Sequence, residues 1–201
     1  MKRFLMVIFV LLLVGGAYAQ NNTTIKINDV AFEIPAKYHG GSKTNDDYRL
    51  DNVFSIRCVD GNVPEAIGLW ATESDYREDL TISDHPARYF YQYNPYIKGN
   101  HSHIYFVSGE SLYEISWVGN YIPEDIKNII ENTPKSQIDE DAFYSALDMS
   151  VELYKEQKTN QLNQDGEYNY LEAKSQSQYN NQDWTEDTQF KEILLTYYYG
   201  K

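Results

Sequence analysis

The chain has 201 residues with 30 acidic against 17 basic side chains, a formal charge of −13, and a surface of that sign repels nucleic acid and anionic membranes. It suits cations, basic partners, or simply solubility in a salty exterior. The single cysteine, Cys58, excludes an intramolecular disulfide, so an exported fold must be held by packing alone.

The N-terminus reads as a secretory leader over residues 1–19. Lys2 and Arg3 make a basic start, Phe4 through Val14 are unbroken apolar, and Ala17, Tyr18 and Ala19 form a small-x-small cleavage site. The apolar run is about half of the roughly 20 residues that cross a bilayer. The expectation is therefore a cleaved leader and a mature protein that is secreted, either extracellular or in a periplasm-like space, and not integral to a membrane. Loss of Lys2 and Arg3 takes the formal charge to about −15.

Residues 20–158 read as one α/β domain. Ile25 and Ile27, then Val30, Phe32 and Ile34 in strict alternation, give two short strands about Asn28-Asp29, closed by Pro35. Residues 37–50 are polar, with Gly40-Gly41 and Asn45-Asp46-Asp47, and read as a loop. Phe54, Ile56 and Cys58 alternate with Ser55 and Arg57, which marks a strand buried on one face and Cys58 as a buried apolar thiol. After a turn at Asp60-Gly61-Asn62, residues 65–72 read as a further strand, with Ile67, Leu69 and Ala71 on one side and Trp70 on the other.

An acidic connection over residues 73–79 leads into the stretch 80–118, which holds three strand-like runs and three of the four histidines. Residues 87–93 form one strand, broken at Asn94-Pro95. Residues 101–107 and 111–118 pair across Gly109-Glu110, because Gly109 suits the positive φ of a tight hairpin turn. That register sets Phe106 against Tyr113, Ile104 against Ile115, Tyr105 against Glu114 and His103 against Ser116, and a slip of one residue would mix apolar with polar. If residues 87–93 lie beside residues 101–107, one face collects Tyr89, Tyr91, Tyr93, His101, His103, Tyr105, Glu114 and Ser116. The other collects Phe90, Ile104, Phe106, Tyr113, Ile115 and Trp117, with Arg88 a polar mismatch among them.

Pro123, Glu124 and Asp125 open a helix carrying Ile126, Ile129 and Ile130 at helical spacing, ended by Thr133-Pro134. Residues 139–157 give a second, amphipathic helix whose stripe runs through Ala142, Phe143, Ala146, Leu147, Val151 and Tyr154. Residues 159–183 turn to Gln, Asn, Ser and Tyr and read as a polar linker. Residues 184–201 read as a C-terminal amphipathic helix, with Thr185 as cap and Phe190, Ile193, Leu194, Tyr197 and Tyr198 on one face.

The strand ending in Phe32-Glu33-Ile34-Pro35, the runs Arg88-Tyr89-Phe90-Tyr91-Gln92-Tyr93 and Tyr113-Glu114-Ile115-Ser116-Trp117, and the helix with Ile126 to Ile130 together resemble the PsbP-like domains. The same pattern is similar to small secreted proteins of archaea. The resemblance covers about residues 25–136. It implies an α+β fold: an antiparallel sheet of about six strands with helices packed on its faces, an α/β/α sandwich. No functional residue is carried over, and the C-terminal third departs from the family.

Three constellations carry chemistry. His101 and His103, two apart on a strand, project to one side, and with His85 or Glu114 they have the residue types for zinc, copper or nickel; no other cofactor is expected. Tyr89, Tyr91 and Tyr105 with Glu114 make a Tyr-rich face of the kind that takes a glycan or a cell-surface protein, since Tyr joins a rigid ring to a hydroxyl. Gln161, Asn163, Asp165, Gly166 and Glu172 echo a calcium loop without its first aspartate. Asn21, Asn22 and Asn100 each begin a glycosylation acceptor triplet, the last expected in an exposed turn. No nucleophile elbow, zinc-protease or phosphate-loop motif occurs. The expected function is a secreted, non-catalytic binding or accessory domain, with divalent-metal binding by His101 and His103 as the alternative and an extracellular hydrolase third.

Overall fold

The computed structural model describes residues 22–179. The leader and the C-terminal helix expected at 184–201 lie outside them. Seven strands form one antiparallel sheet: β3 (Ser42–Lys43), β4 (Asp47–Leu50), β5 (Phe54–Cys58), β6 (Tyr76–Ile82), β7 (His85–Asn94), β8 (Gly99–Ser108) and β9 (Ser111–Val118). Their spatial order is β3-β4-β5-β9-β8-β7-β6. β1 (Thr23–Ile27) and β2 (Val30–Ile34) make a separate hairpin, with Asn28 at φ 51° in its turn. The helices are α1 (Val63–Glu73), α2 (Glu124–Glu131) and α3 (Glu140–Tyr179). The fold is α+β, a sheet sandwiched between two further layers.

The β8–β9 hairpin forms in the expected register, with Phe106 opposite Tyr113, Ile104 opposite Ile115, Tyr105 opposite Glu114 and His103 opposite Ser116. Gly109 turns it at φ 61°. This hairpin occupies the middle of the sheet. Alternation sends Ile104, Phe106, Tyr113, Ile115 and Trp117 to one face, where they meet Phe32 and Ile34 of the β1–β2 hairpin and Ile126, Ile129 and Ile130 of α2. Phe32 meets Tyr113 edge-on at 5.1 Å between centroids. α2 starts after Pro123 with Glu124 and Asp125 in its first turn, and Thr133 closes its end by donating its hydroxyl to the Ile130 carbonyl.

On the opposite face Phe90, Tyr105 and Leu112 are covered by Ile67 of α1 and by Phe143, Leu147 and Val151 of α3. α1 and α3 also press on each other. A Cβ at Gly68 would lie 2.2 Å from Cγ of Tyr154, so only glycine lets these helices meet this closely.

Several expectations are corrected. Residues 65–72 form α1 and not a strand: Pro64 sits in the first turn, and Ile67 and Gly68 are the buried pair. A short apolar run fits either period, and here the coverage of the sheet decides. The polar stretch 37–50 holds a 3-10 turn at Ala36–Tyr38 and the short strands β3 and β4. Tyr48 ties them in by donating to the Tyr38 carbonyl at 2.5 Å and accepting from the Gly41 amide at 3.0 Å. The acidic connection is mostly β6, an edge strand whose exposed charges suit an unpaired edge. The backbone expected to become a linker at residue 159 stays helical through Tyr179, so the calcium-like segment 161–172 is helix and lacks the loop such a site requires.

The largest correction concerns β7. It pairs with β8 as Arg88 opposite Tyr105, Phe90 opposite His103 and Tyr89 opposite Ile104. Tyr89 and Tyr91 therefore lie on the face of Ile104 and Phe106, away from Tyr105, His103 and Glu114. Arg88 ceases to be a mismatch. It is fully buried on the helix-covered face, where Asp79 accepts from Nε at 2.7 Å and from Nη2 at 3.0 Å, and Asp148 of α3 accepts from Nη1 at 2.6 Å.

Candidate functional site

The helix-covered face is closed over Arg88, Phe90 and Tyr105, and cavities lie on it beside β5 and towards the start of β8. There β5, β9 and β8 bring Arg57, Glu114 and His103 side by side, since Arg57 is opposite Glu114 and His103 is opposite Ser116. Glu114, 1% exposed, accepts from Nδ1 of His103 at 2.6 Å and from Nε of Arg57. Nε2 of His103 meets Nδ1 of His101 at 3.1 Å. The result is a continuous chain Arg57–Glu114–His103–His101.

α1 supplies the roof. The Trp70 ring stacks on His103 with centroids 3.7 Å apart and meets His101 edge-on at 6.2 Å. Tyr105 anchors this helix by donating its hydroxyl to the Ala66 carbonyl at 2.6 Å. Beside it Ser55 and Ser116 share a hydrogen bond of 2.7 Å.

The electrostatics follow from burial and pairing. Burial alone would raise the Glu114 carboxyl, but the His103 hydrogen bond and the Arg57 charge outweigh it and hold it below the usual carboxylate range. Burial, with His103 adding to it, pushes His101 down to about 4, so its ring is uncharged at neutral pH. Burial drives the Tyr105 phenol far up, so it stays protonated and keeps the O–H that it donates to the Ala66 carbonyl.

Two cavities flank this chain, and Arg57 and Trp70 line both. The smaller, about 210 Å³, is walled by Asp51, Ser55, His101, His103, Glu114 and Ser116. The larger, about 650 Å³, is walled by Asn28, Asp46, Asp60, Asn62, Glu65 and Leu69. Cys58 also lines it and is half-buried, not buried as expected, with Sγ 3.4 Å from Asp60 and its thiol pKa raised by burial.

The predicted site residues are thus only partly brought together. His101, His103 and Glu114 converge. Tyr105 lies on the same face but is fully buried, while Tyr89 and Tyr91 are on the other side of the sheet. His85 is also on that other side and at the opposite end of β7 from Gln92, the partner of His101, roughly 23 Å along the strand. It is completely buried, its Nδ1 3.1 Å from the Val107 carbonyl, so it joins no site with His101. The described residues hold no group of three or more His, Cys, Asp or Glu side chains placed to take a metal ion. The triplet at Asn100 lies in β8, not in an exposed turn, with Ser102 buried and bonded to Tyr89 and to the Gly119 carbonyl. Arg57 and Trp70 are the members sequence reasoning missed. Arg57 carried a signal, a charge on the alternate face of β5, but its partner strand was unknown.

No helix among the described residues is long and apolar enough to cross a membrane. Comparison of the chain with protein-family models, with curated proteins and with solved structures gives no match. The fold and the cleft define an α+β sandwich with a polar, aromatic-roofed cleft at one end of its sheet.

Proposed function

We propose that this chain is an exported, non-catalytic binding domain, of PsbP-like kind, that takes a polar ligand of the oligosaccharide class in the cleft across Arg57 and Trp70. The observation that carries the reading is that one aromatic ring and one guanidinium line both cavities. The larger volume lies within the range of ligand sites, about 300–1,000 Å³. A sugar presents an apolar C–H face and a rim of hydroxyls. Trp70 suits the first, and Asn28, Asn62, Asp46, Asp60 and Glu65 suit the second.

Preorganisation supports the same reading. Glu114 holds Arg57 and His103, and His103 is stacked under Trp70, so little side-chain freedom is lost when a ligand arrives. The leader-like N-terminus supports encounter with glycans outside the cytoplasm. The acidic surface disfavours nucleic acid and anionic lipid as ligands.

The test is a panel of soluble oligosaccharides titrated against the purified chain, followed by tryptophan emission and calorimetry. Binding by at least one class of saccharide, lost about tenfold or more in Trp70→Ala, supports the reading. No binding across the panel, or equal binding by Trp70→Ala, overturns it.

A further inference from the structure

We propose that His101 and His103 form a two-nitrogen seat for a divalent transition-metal ion, copper(II), nickel(II) or zinc(II), whose other positions are filled from the smaller cavity by water or an exogenous ligand. This goes beyond the saccharide reading and does not require it. The ion class follows from the donors, since uncharged imidazole suits these borderline ions better than calcium or magnesium.

The geometry is already close to what an ion demands. Nε2 of His103 and Nδ1 of His101 stand 3.1 Å apart. Two nitrogens bound at about 2.0–2.1 Å lie about 3.3–3.4 Å apart on a tetrahedral ion and about 2.9 Å apart at a right angle. The observed spacing falls between the two, so seating needs movements of a few tenths of an ångström. The contact is also poor as a hydrogen bond. Rings meeting head-on across a linear N–H···N bond would hold their centroids about 5.4 Å apart. Here they are 4.5 Å apart with planes at 82°, so the bond is bent, and both rings wall the cavity.

The surroundings are those of a metal-binding histidine. Glu114 accepts from Nδ1–H of His103, which fixes the tautomer with its lone pair on Nε2. That carboxylate–imidazole arrangement orients and strengthens a metal-ligating ring. Trp70 stacks on the same ring and stops it turning. Glu114 also balances Arg57, so the nearest fixed cation is already neutralised. Loading takes His101 as the tautomer with its proton on Nε2, so that Nδ1 offers its lone pair to the ion. With two protein donors the seat keeps open positions, as sites that bind exogenous ligands do.

The experiment uses the untagged full-length chain and metal salts alone. Copper(II), nickel(II) and zinc(II) are titrated by calorimetry, and the histidine ring nitrogens are followed by ¹⁵N NMR with zinc. The expected result is one site, with Nδ1 of His101 and Nε2 of His103 shifted as metal-bound nitrogens while His85 stays unmoved. His101→Ala should lower the affinity at least about tenfold, and Glu114→Gln about 10–100-fold. Saturation without a shift at either named nitrogen overturns the proposal, as does His101→Ala binding as tightly as the unaltered chain. The nitrogen readout on the unaltered protein decides the matter even if a variant fails to fold.

Discussion

Arg88 of β7 and Asp148 of α3 join at 2.6 Å, and with Arg77 of β6, 3.2 Å from the same carboxylate, this pair fastens the sheet to the long helix. Arg88 is wholly buried, and Asp79 holds its other edge through two hydrogen bonds. Tyr144, one turn before Asp148, lies under the guanidinium at 5.5 Å. The two carboxylates are not equivalent. Asp148 is half-exposed and Asp79 less so. Asp79→Ala, which removes the bidentate partner of a buried cation, should cost about 2–3 kcal/mol, and Asp148→Ala about 1 kcal/mol. Urea unfolding midpoints check the order. Equal losses would mean that Arg88 does not depend on the bidentate geometry.

Gly68 sets the distance between α1 and α3. Gly to Ala inside a helix ordinarily gains up to about 1 kcal/mol, but here the methyl would enter the Tyr154 side chain. Gly68→Ala should therefore lose about 1–2 kcal/mol net, since overpacking costs about 1–3 kcal/mol. In the Tyr154→Ala background the same change should turn neutral or stabilising. A double-mutant cycle by thermal unfolding measures this coupling.

Acid should destabilise the fold through two carboxylates. Burial opposes ionisation at both Asp79 and Glu114, yet ion pairs with Arg88 and Arg77 in one case, and His103 with Arg57 in the other, bring each below its ordinary value. A carboxyl with a depressed folded pKa binds its proton more readily in the unfolded chain. Its contribution is thus complete above the unfolded value and fades as pH falls towards the folded one. The melting temperature should hold from pH 7 to about 5 on account of these groups and drop below about pH 4.5. Glu114→Gln should blunt the drop; an unchanged acid limb would remove Glu114 from the account.

Protection along α3 should change within the helix. Phe143, Leu147, Val151 and Tyr154 are buried, whereas residues 160–165 are exposed. Helical stability comes chiefly from packing an apolar face, not from propensity. Amide exchange should be slow around residues 147–154 and at least about tenfold faster over residues 160–165. Uniform protection across both would show that something covers the later turns.

How much was legible in the sequence differs from element to element. The β8–β9 hairpin was readable because Gly109 fixes the turn and a two-residue loop fixes the register, which in turn assigns every side chain on both strands to a face. The alternation in β1, β2 and β5 and the isoleucine spacing of α2 likewise name their own buried sides. Within one element, period and face are local properties. The convergence of His101, His103 and Glu114 follows from that hairpin alone.

The tertiary structure decided what joins to what. β7 alternates as plainly as its neighbours, but four residues separate its pairing partners Asn94 and Gly99, and a change of one in register exchanges its faces. That parity, invisible in the strand itself, sends Tyr89 into the core and Arg88 to Asp148. Residues 63–73 carry a short apolar run compatible with strand or helix, and the uncovered face over Tyr105 and Phe90 settles it as α1. The cleft exists only because that helix sets Trp70 over His103 and beside Arg57. Periodicity is a property of neighbours along the chain; a site roofed by one element and floored by three others depends on registers and coverage that only the folded chain fixes.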